Sequence, residues 1–253
     1  MRAPVAIVTG VGRRVGIGTA IARRLAADGV DLLIQSWPAH DAGQPWGADP
    51  GWPAPLFEEL RAGGRSVVHV EADFADPDAP RRVVAAAVER FGGVDVLVAN
   101  HARSSDQDLE QLTAAEIDLS FAVNTRATLL LVKEFAARHG GTHPGRVVMM
   151  TSGQHRGPMP GELPYIASKG ALHQLTASLA AHLAPRGITV NTVNPGATDT
   201  GWADPAVHRA VLDVEPMGRW GTPEDAARLI GWLVGPDAGW VTGEVINSTG
   251  GGP

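Results

Sequence analysis

Short β-branched runs alternate with longer amphipathic segments from one end of the chain to the other. Buried strands are predicted at 5–8, 30–35, 66–70, 94–99, 146–150, 188–193 and 244–247. Helices are predicted at 18–27, where Ile21, Ala22 and Leu25 share one face, and at 56–62, 79–90, 114–138, 164–183 and 223–234. Apolar strands of five or six residues that alternate with helices form βαβ units. Their parallel sheet is buried on both faces by crossover helices. The expected fold is therefore α/β, a doubly wound parallel sheet of the Rossmann type. No repeat, linker or charge run divides the chain, so residues 1–253 are expected to form one domain.

Two stretches break the rhythm. Residues 37–55 are rich in Pro, Gly and Trp (Trp37, Trp46, Trp52) and long for a βα connection. Residues 199–217 form a second long connection. Both are expected to be loops, and both follow strands at the carboxyl ends where such sheets bind ligands.

Composition narrows the class. Hydrophobic residues make up 44% of the 253, enough for a substantial core. The net charge of −6 argues against nucleic acid as the main partner, which requires a basic face. There is no cysteine, so disulfides and thiolate metal sites are excluded, and no metal site is expected. The apolar stretch at 5–8 is too short for a signal-peptide core, and no run approaches a membrane span. A soluble, cytoplasmic protein is the expectation.

After the first strand the chain runs Gly10, Val11, Gly12, Arg13, Arg14, Val15, Gly16, Ile17, Gly18 and enters a helix. Glycine permits positive φ and lets the backbone approach a pyrophosphate, and the helix N-terminus offers free N–H groups. The cluster is either a plain turn or a dinucleotide cradle, and its place between first strand and first helix favours the cradle. The second strand ends Gln35, Ser36, Trp37, without the acid that usually holds the ribose hydroxyls of NAD. Arg13 and Arg14 suit a 2′-phosphate, which favours NADP(H) over NAD(H). The alternative is that both arginines are solvated.

Tyr165 and Lys169 stand four residues apart in a predicted helix and so share a face. An ammonium lowers the pKa of a nearby phenol, which makes the pair a general acid or base. Tyr165 is the only tyrosine in the chain. Ser152 follows a strand and either forms a turn or holds a substrate carbonyl. Asn124 interrupts an apolar helix face; it bonds a backbone carbonyl, or a water that leads protons to Lys169.

These residues, with 95–100, 190–196 and 240–243, resemble the short-chain dehydrogenase/reductase family over almost the whole chain. Ser152 stands thirteen residues before Tyr165, as in that family. The resemblance implies about seven strands and a carbonyl reduction in which Tyr165 donates the proton. It implies that Lys169 lowers the Tyr165 pKa and bonds the nicotinamide ribose, that Ser152 orients the carbonyl, and that Asn124 anchors a proton relay. Asp73, beside Phe74, would bond the adenine amino group. Asn100 would line the cofactor with His101, Pro195 and Gly196, and Thr198 would reach the carboxamide. The loop 199–217 would close over substrate.

The chain also departs from the family pattern. The glycine loop has two extra residues, and Ala99, Asn100, His101, Ala102 replace the usual Asn-Asn-Ala-Gly run. The tryptophans of 37–55 either pack that loop down or, through Trp37, line the adenine pocket with Ser36.

The resemblance is nearest to reductases of 3-oxoacyl groups on an acyl carrier protein. Docking of that acidic partner calls for basic residues, and the matching positions are His143 and Arg186, with Arg156 as a substitute. Reduction of a free ketone, an aldehyde or a secondary-metabolite intermediate is the alternative. A non-catalytic dinucleotide sensor or scaffold is a further one, which the presence of both Tyr165 and Lys169 disfavours. Gln154 and His155 are expected to face substrate with Ser152 and Tyr165. Family members often form tetramers through the two long helices, so a homotetramer or homodimer is expected.

Overall fold

The computed structural model describes residues 2–252. Seven parallel strands form one sheet in the order β3-β2-β1-β4-β5-β6-β7. They are β1 (Val5–Val8), β2 (Asp31–Ser36), β3 (Val67–Glu71), β4 (Val96–Ala99), β5 (Gly145–Met150), β6 (Ile188–Asn194) and β7 (Val245–Asn247). The predicted strands are all present, with ends moved by one or two residues. Strand alternation divides the core into two layers. Ala6, Val8, Leu32, Ile34, Val98 and Val148 pack under α1 (Ile17–Ala27). Ile7, Leu33, Leu97, Val147 and Met149 face the opposite layer. Each such fully buried Val, Leu, Ile or Met side chain contributes about 1.5–3 kcal/mol.

Two loop expectations are corrected. Residues 37–55 contain the short helix α2 (Pro38–Ala42), and α3 begins at Ala54 (Ala54–Ala62). Pro38 stands at the first helical position, where its missing N–H costs nothing. α4 (Ala79–Phe91) follows β3, and left-handed Gly92 ends it. The helix expected at 114–138 is α5 (Ala114–Ser120) and α6 (Ala127–Arg138) joined by a π turn (Phe121–Arg126) that contains Asn124. α7 (Leu163–Leu183) follows β5. Residues 199–217 contain α8 (Pro205–Val214), capped by the Asp204 carboxylate. α9 (Pro223–Val234) starts with a Thr222/Asp225 capping box and packs on α1.

No described helix is long and apolar enough to cross a membrane.

Candidate active site

Strand order reverses beside β1, which has β2 on one side and β4 on the other. The crevice at the carboxyl ends of these strands is where open α/β sheets take ligands. The glycine loop lies there, pinned from both sides. Gly10 N–H donates to Gln35 Oε1 at 3.0 Å, and Val11 N–H to the Gln35 carbonyl at 2.9 Å. Asn100 Nδ2 donates to the Thr9 and Gly10 carbonyls at 3.0 and 3.2 Å. A methyl group on Gly18 would come within 2.5 Å of the Gly10 carbonyl oxygen, so the loop and α1 touch backbone to backbone. α1 begins with no side-chain cap and no acid in its first turn. Its first N–H groups therefore face the crevice as an uncompensated positive end. This cradle fits the pyrophosphate of a dinucleotide.

Both loop arginines lie on the tryptophans of residues 37–55. The Arg13 guanidinium is 5.3 Å from the Trp46 ring centre and the Arg14 guanidinium 5.6 Å from that of Trp52. Arg13 Nε is buried without a hydrogen-bond partner. Trp52 donates its indole N–H to the Val11 carbonyl, and Arg14 N–H donates to Asp49. Of the two readings of the tryptophan-rich stretch, packing onto the glycine loop is what Trp46 and Trp52 do. Trp37, just beyond β2, is exposed.

Several expected cofactor side chains are turned inward. Ser36 is buried and bonded to His69 on β3 at 2.8 Å. Phe74 is buried with its ring 4.2 Å from that of His101. The His101 ring bonds Thr9 Oγ1 at 2.8 Å and the Val123 carbonyl at 3.0 Å. Burial, with the Lys169 charge, pushes its pKa down to about 3. The crevice is offered only the backbone of His101, whose Cα would lie 2.8 Å from a Cβ on Gly10. Asp73 folds one oxygen onto the Ala75 N–H and keeps the other free. Pro195 and left-handed Gly196 turn the chain beyond β6, and Thr198 Oγ1 donates to their carbonyls. Gln35 and Thr9 escaped the sequence reading. Their signal was weak: a polar pair embedded in otherwise apolar strand ends.

The catalytic candidates converge beyond β5. Ser152 leads into a single turn, Gly153–His155, and stands beside the Tyr165 phenol. Burial pushes that phenol up to about 12, and the Ser152 hydroxyl pulls the other way. Lys169, 2% exposed, donates from Nζ to the Met150 carbonyl at 2.9 Å. Burial lowers its pKa to about 8. The phenol stands above its ordinary pKa because burial, with the Glu162 charge, outweighs the Ser152 contact.

Asn124 holds the site together. Its Oδ1 accepts the Arg103 N–H at 2.8 Å, and its Nδ2 donates to the Arg103 carbonyl at 2.9 Å and to Ser168 Oγ at 2.8 Å. Ser168 in turn donates to the Tyr165 carbonyl at 2.7 Å. The side chain thus takes the backbone-binding role and ties the π turn to α7. Gln154 donates to Thr151 Oγ1, leaves its Oε1 buried without a partner, and lines an apolar cavity of about 430 Å³ with Leu112, Ile117 and Ile166. His155 is exposed and bridges the Ser152 carbonyl to Asn247 at 3.2 and 3.0 Å.

A family model described as enoyl-(acyl carrier protein) reductase matches residues 10–252. The uncharacterized oxidoreductase YjdA of Bacillus subtilis (strain 168) is 38% identical over 249 residues, which cover 98% of this chain and 96% of that protein. Versicolorin reductase 1 of Aspergillus parasiticus is 31% identical over 264 residues, with 98% and 95% covered. The crystal structure of a short chain dehydrogenase from Burkholderia cenocepacia J2315 in complex with NADP superposes with a TM-score of 0.87 at 36% identity, covering 99% of this chain and 98% of that one. The chain belongs to the short-chain dehydrogenase/reductase family and is an oxidoreductase.

Proposed function

We propose that this protein reduces a ketone, a 3-oxoacyl carbonyl included, to the alcohol with NADP(H). The observation that carries the reading is the grouping of Ser152, Tyr165 and Lys169 around one point beyond β5. A nicotinamide bound along the crevice supplies the hydride. Ser152 holds the carbonyl oxygen against Tyr165. With a pKa of about 12 the phenol carries its proton at neutral pH, as a general acid must. The Lys169 ammonium, 5.9 Å from the Tyr165 ring centre, favours the phenolate as that proton leaves and so lowers the Tyr165 pKa in the reaction. Asn124 keeps the Tyr165 turn of α7 in register for the relay.

The preference for NADP(H) rests on Arg13 and Arg14 at the mouth of the glycine loop, and the NADP complex of the Burkholderia relative is consistent with it. The substrate falls between a free small molecule and an acyl thioester. Both basic positions for a carrier protein are engaged within the chain: His143 with the Arg2 carbonyl, and Arg186 with the Ala136 carbonyl. Arg156 stays exposed. These contacts favour a free carbonyl compound over an acyl carrier protein. We place the chain in the cytoplasm as one domain that works as a homotetramer or homodimer. Ala167, Ala177 and Ala181 lie exposed along α7, and Trp240 is 99% exposed.

The test is oxidation of NADPH and NADH, in parallel, against acetoacetyl thioesters, ketones and aldehydes. Turnover of free carbonyls with NADPH is the expected result. Turnover of thioesters alone would move the substrate to acyl groups. Full binding of NADPH without turnover of any carbonyl would favour the sensor reading.

A further inference from the structure

The His101 ring, buried behind the glycine loop, is hydrogen-bonded at both nitrogens. The Val123 carbonyl can only accept, so His101 Nε2 carries the ring proton and donates to it at 3.0 Å. The ring is neutral, because burial and the Lys169 charge hold its pKa down at about 3, and Nδ1 is therefore an acceptor. Thr9 Oγ1 donates to that nitrogen at 2.8 Å. The same oxygen receives the Asn100 and His101 backbone N–H groups at 3.0 and 3.1 Å. The Phe74 ring, with its centre 4.2 Å away, packs the imidazole into this position.

The π turn explains why Val123 needs such a donor. In an α-helix the Val123 carbonyl would take the Ala127 N–H. Here that N–H goes to the Ala122 carbonyl, five residues back. The His101 side chain supplies a proton in its place. Asn124, the next residue, spans the Arg103 N–H and carbonyl and donates to Ser168 Oγ, which donates to the Tyr165 carbonyl. Side-chain bonds thus lead from Thr9, beside the glycine loop, through His101 and the π turn to the Tyr165 turn of α7.

We propose that His101 is a positioning residue for the reduction. By donating to Val123 it braces the π turn, sets Asn124, and so fixes where the Tyr165 phenol stands relative to a cofactor in the glycine loop. This rests on the reading of Tyr165 as the general acid. The imidazole acts through Asn124 and Ser168, which makes the neutral, Nε2-protonated form the working one.

Tyr165 is the only tyrosine in the chain, so NMR of protein carrying isotope-labelled tyrosine gives one residue's ring signal and reads its surroundings without turnover. H101Q offers an amide oxygen to Thr9 and an amide N–H to Val123, and so spans both partners. H101N is shorter; it reaches Thr9 and loses Val123. H101N should move the Tyr165 signal and lower kcat for carbonyl reduction about tenfold, with NADPH affinity within about threefold of wild type. H101Q should bring the signal back and keep kcat within about threefold of wild type. An unmoved signal with wild-type kcat in H101N, or equal losses in both variants, would overturn the proposal and leave Tyr165 standing as the general acid. A wild-type protein that turns over no carbonyl would overturn that reading instead, and the Tyr165 signal would still decide whether His101 sets the phenol.

Discussion

The Lys169 ammonium stands 5.9 Å from the centre of the Tyr165 ring and donates to the Met150 carbonyl at 2.9 Å. Among the described residues it is a buried cation with one hydrogen-bond partner and no carboxylate paired with it. Such a group costs stability and persists for what its charge does. Lys169→Met keeps the stem and removes the charge. Its melting temperature should rise by about 2–4 °C for each kcal/mol recovered, while carbonyl reduction falls by two or more orders of magnitude. A variant that loses stability together with activity would show Lys169 to be a structural residue.

The pKa of about 8 for Lys169 also fixes a pH profile. The protonated ammonium is needed, so kcat/KM for reduction should decline as pH rises through about 8. Tyr165, at about 12, stays protonated across that range and adds no limb of its own. Stability moves the opposite way. The ordinary lysine pKa is 10.5, so between about 8 and 10.5 the unfolded chain binds the extra proton and stability climbs with pH. Urea midpoints across this window should show the climb in the wild type and not in Lys169→Met.

His101 sets the acid side. Folding lowers its pKa from 6.5 to about 3. The unfolded chain therefore takes up a proton that the native ring refuses, and stability is lost as pH falls from 6.5 towards 3. His101→Asn should show a shallower loss over that window in denaturant titrations. An unchanged slope would mean that other groups govern acid unfolding.

The Gly18 contact tests the cradle. Gly18→Ala places a methyl 2.5 Å from the Gly10 carbonyl oxygen, so loop and helix must separate. NADPH affinity should fall at least about tenfold, with the melting temperature also lower. Affinity within twofold of wild type would show that the loop is not the phosphate site.

The sheet and the Tyr165/Lys169 pair were legible in the sequence because their signals are local. Buried strands show as apolar runs, and Tyr165 and Lys169 share a helix face whatever surrounds them. The two inserted helices were hidden by composition. α2 lies in a Pro- and Gly-rich stretch with no apolar period. α8 had a readable start, since Asp204 followed by Pro205 is a capping residue before a first-turn proline. The π turn leaves no mark on side-chain order. The place of Asp41 was illegible for a further reason: on α2, its carboxylate fills the space beside Gly12, 29 positions away, through a helix that the pattern did not show. His101 and Phe74 were expected at the cofactor from the resemblance, but only tertiary packing reveals that each buries its ring against the other.

Tyr165→Phe tests the central claim most directly, with NADPH affinity by titration calorimetry set beside turnover of the best carbonyl substrate. The phenol's proton is what reduction requires, so affinity should stay within about threefold of wild type and kcat should fall by about 10²–10⁴-fold. Full turnover by the phenylalanine variant would contradict Tyr165 as the general acid.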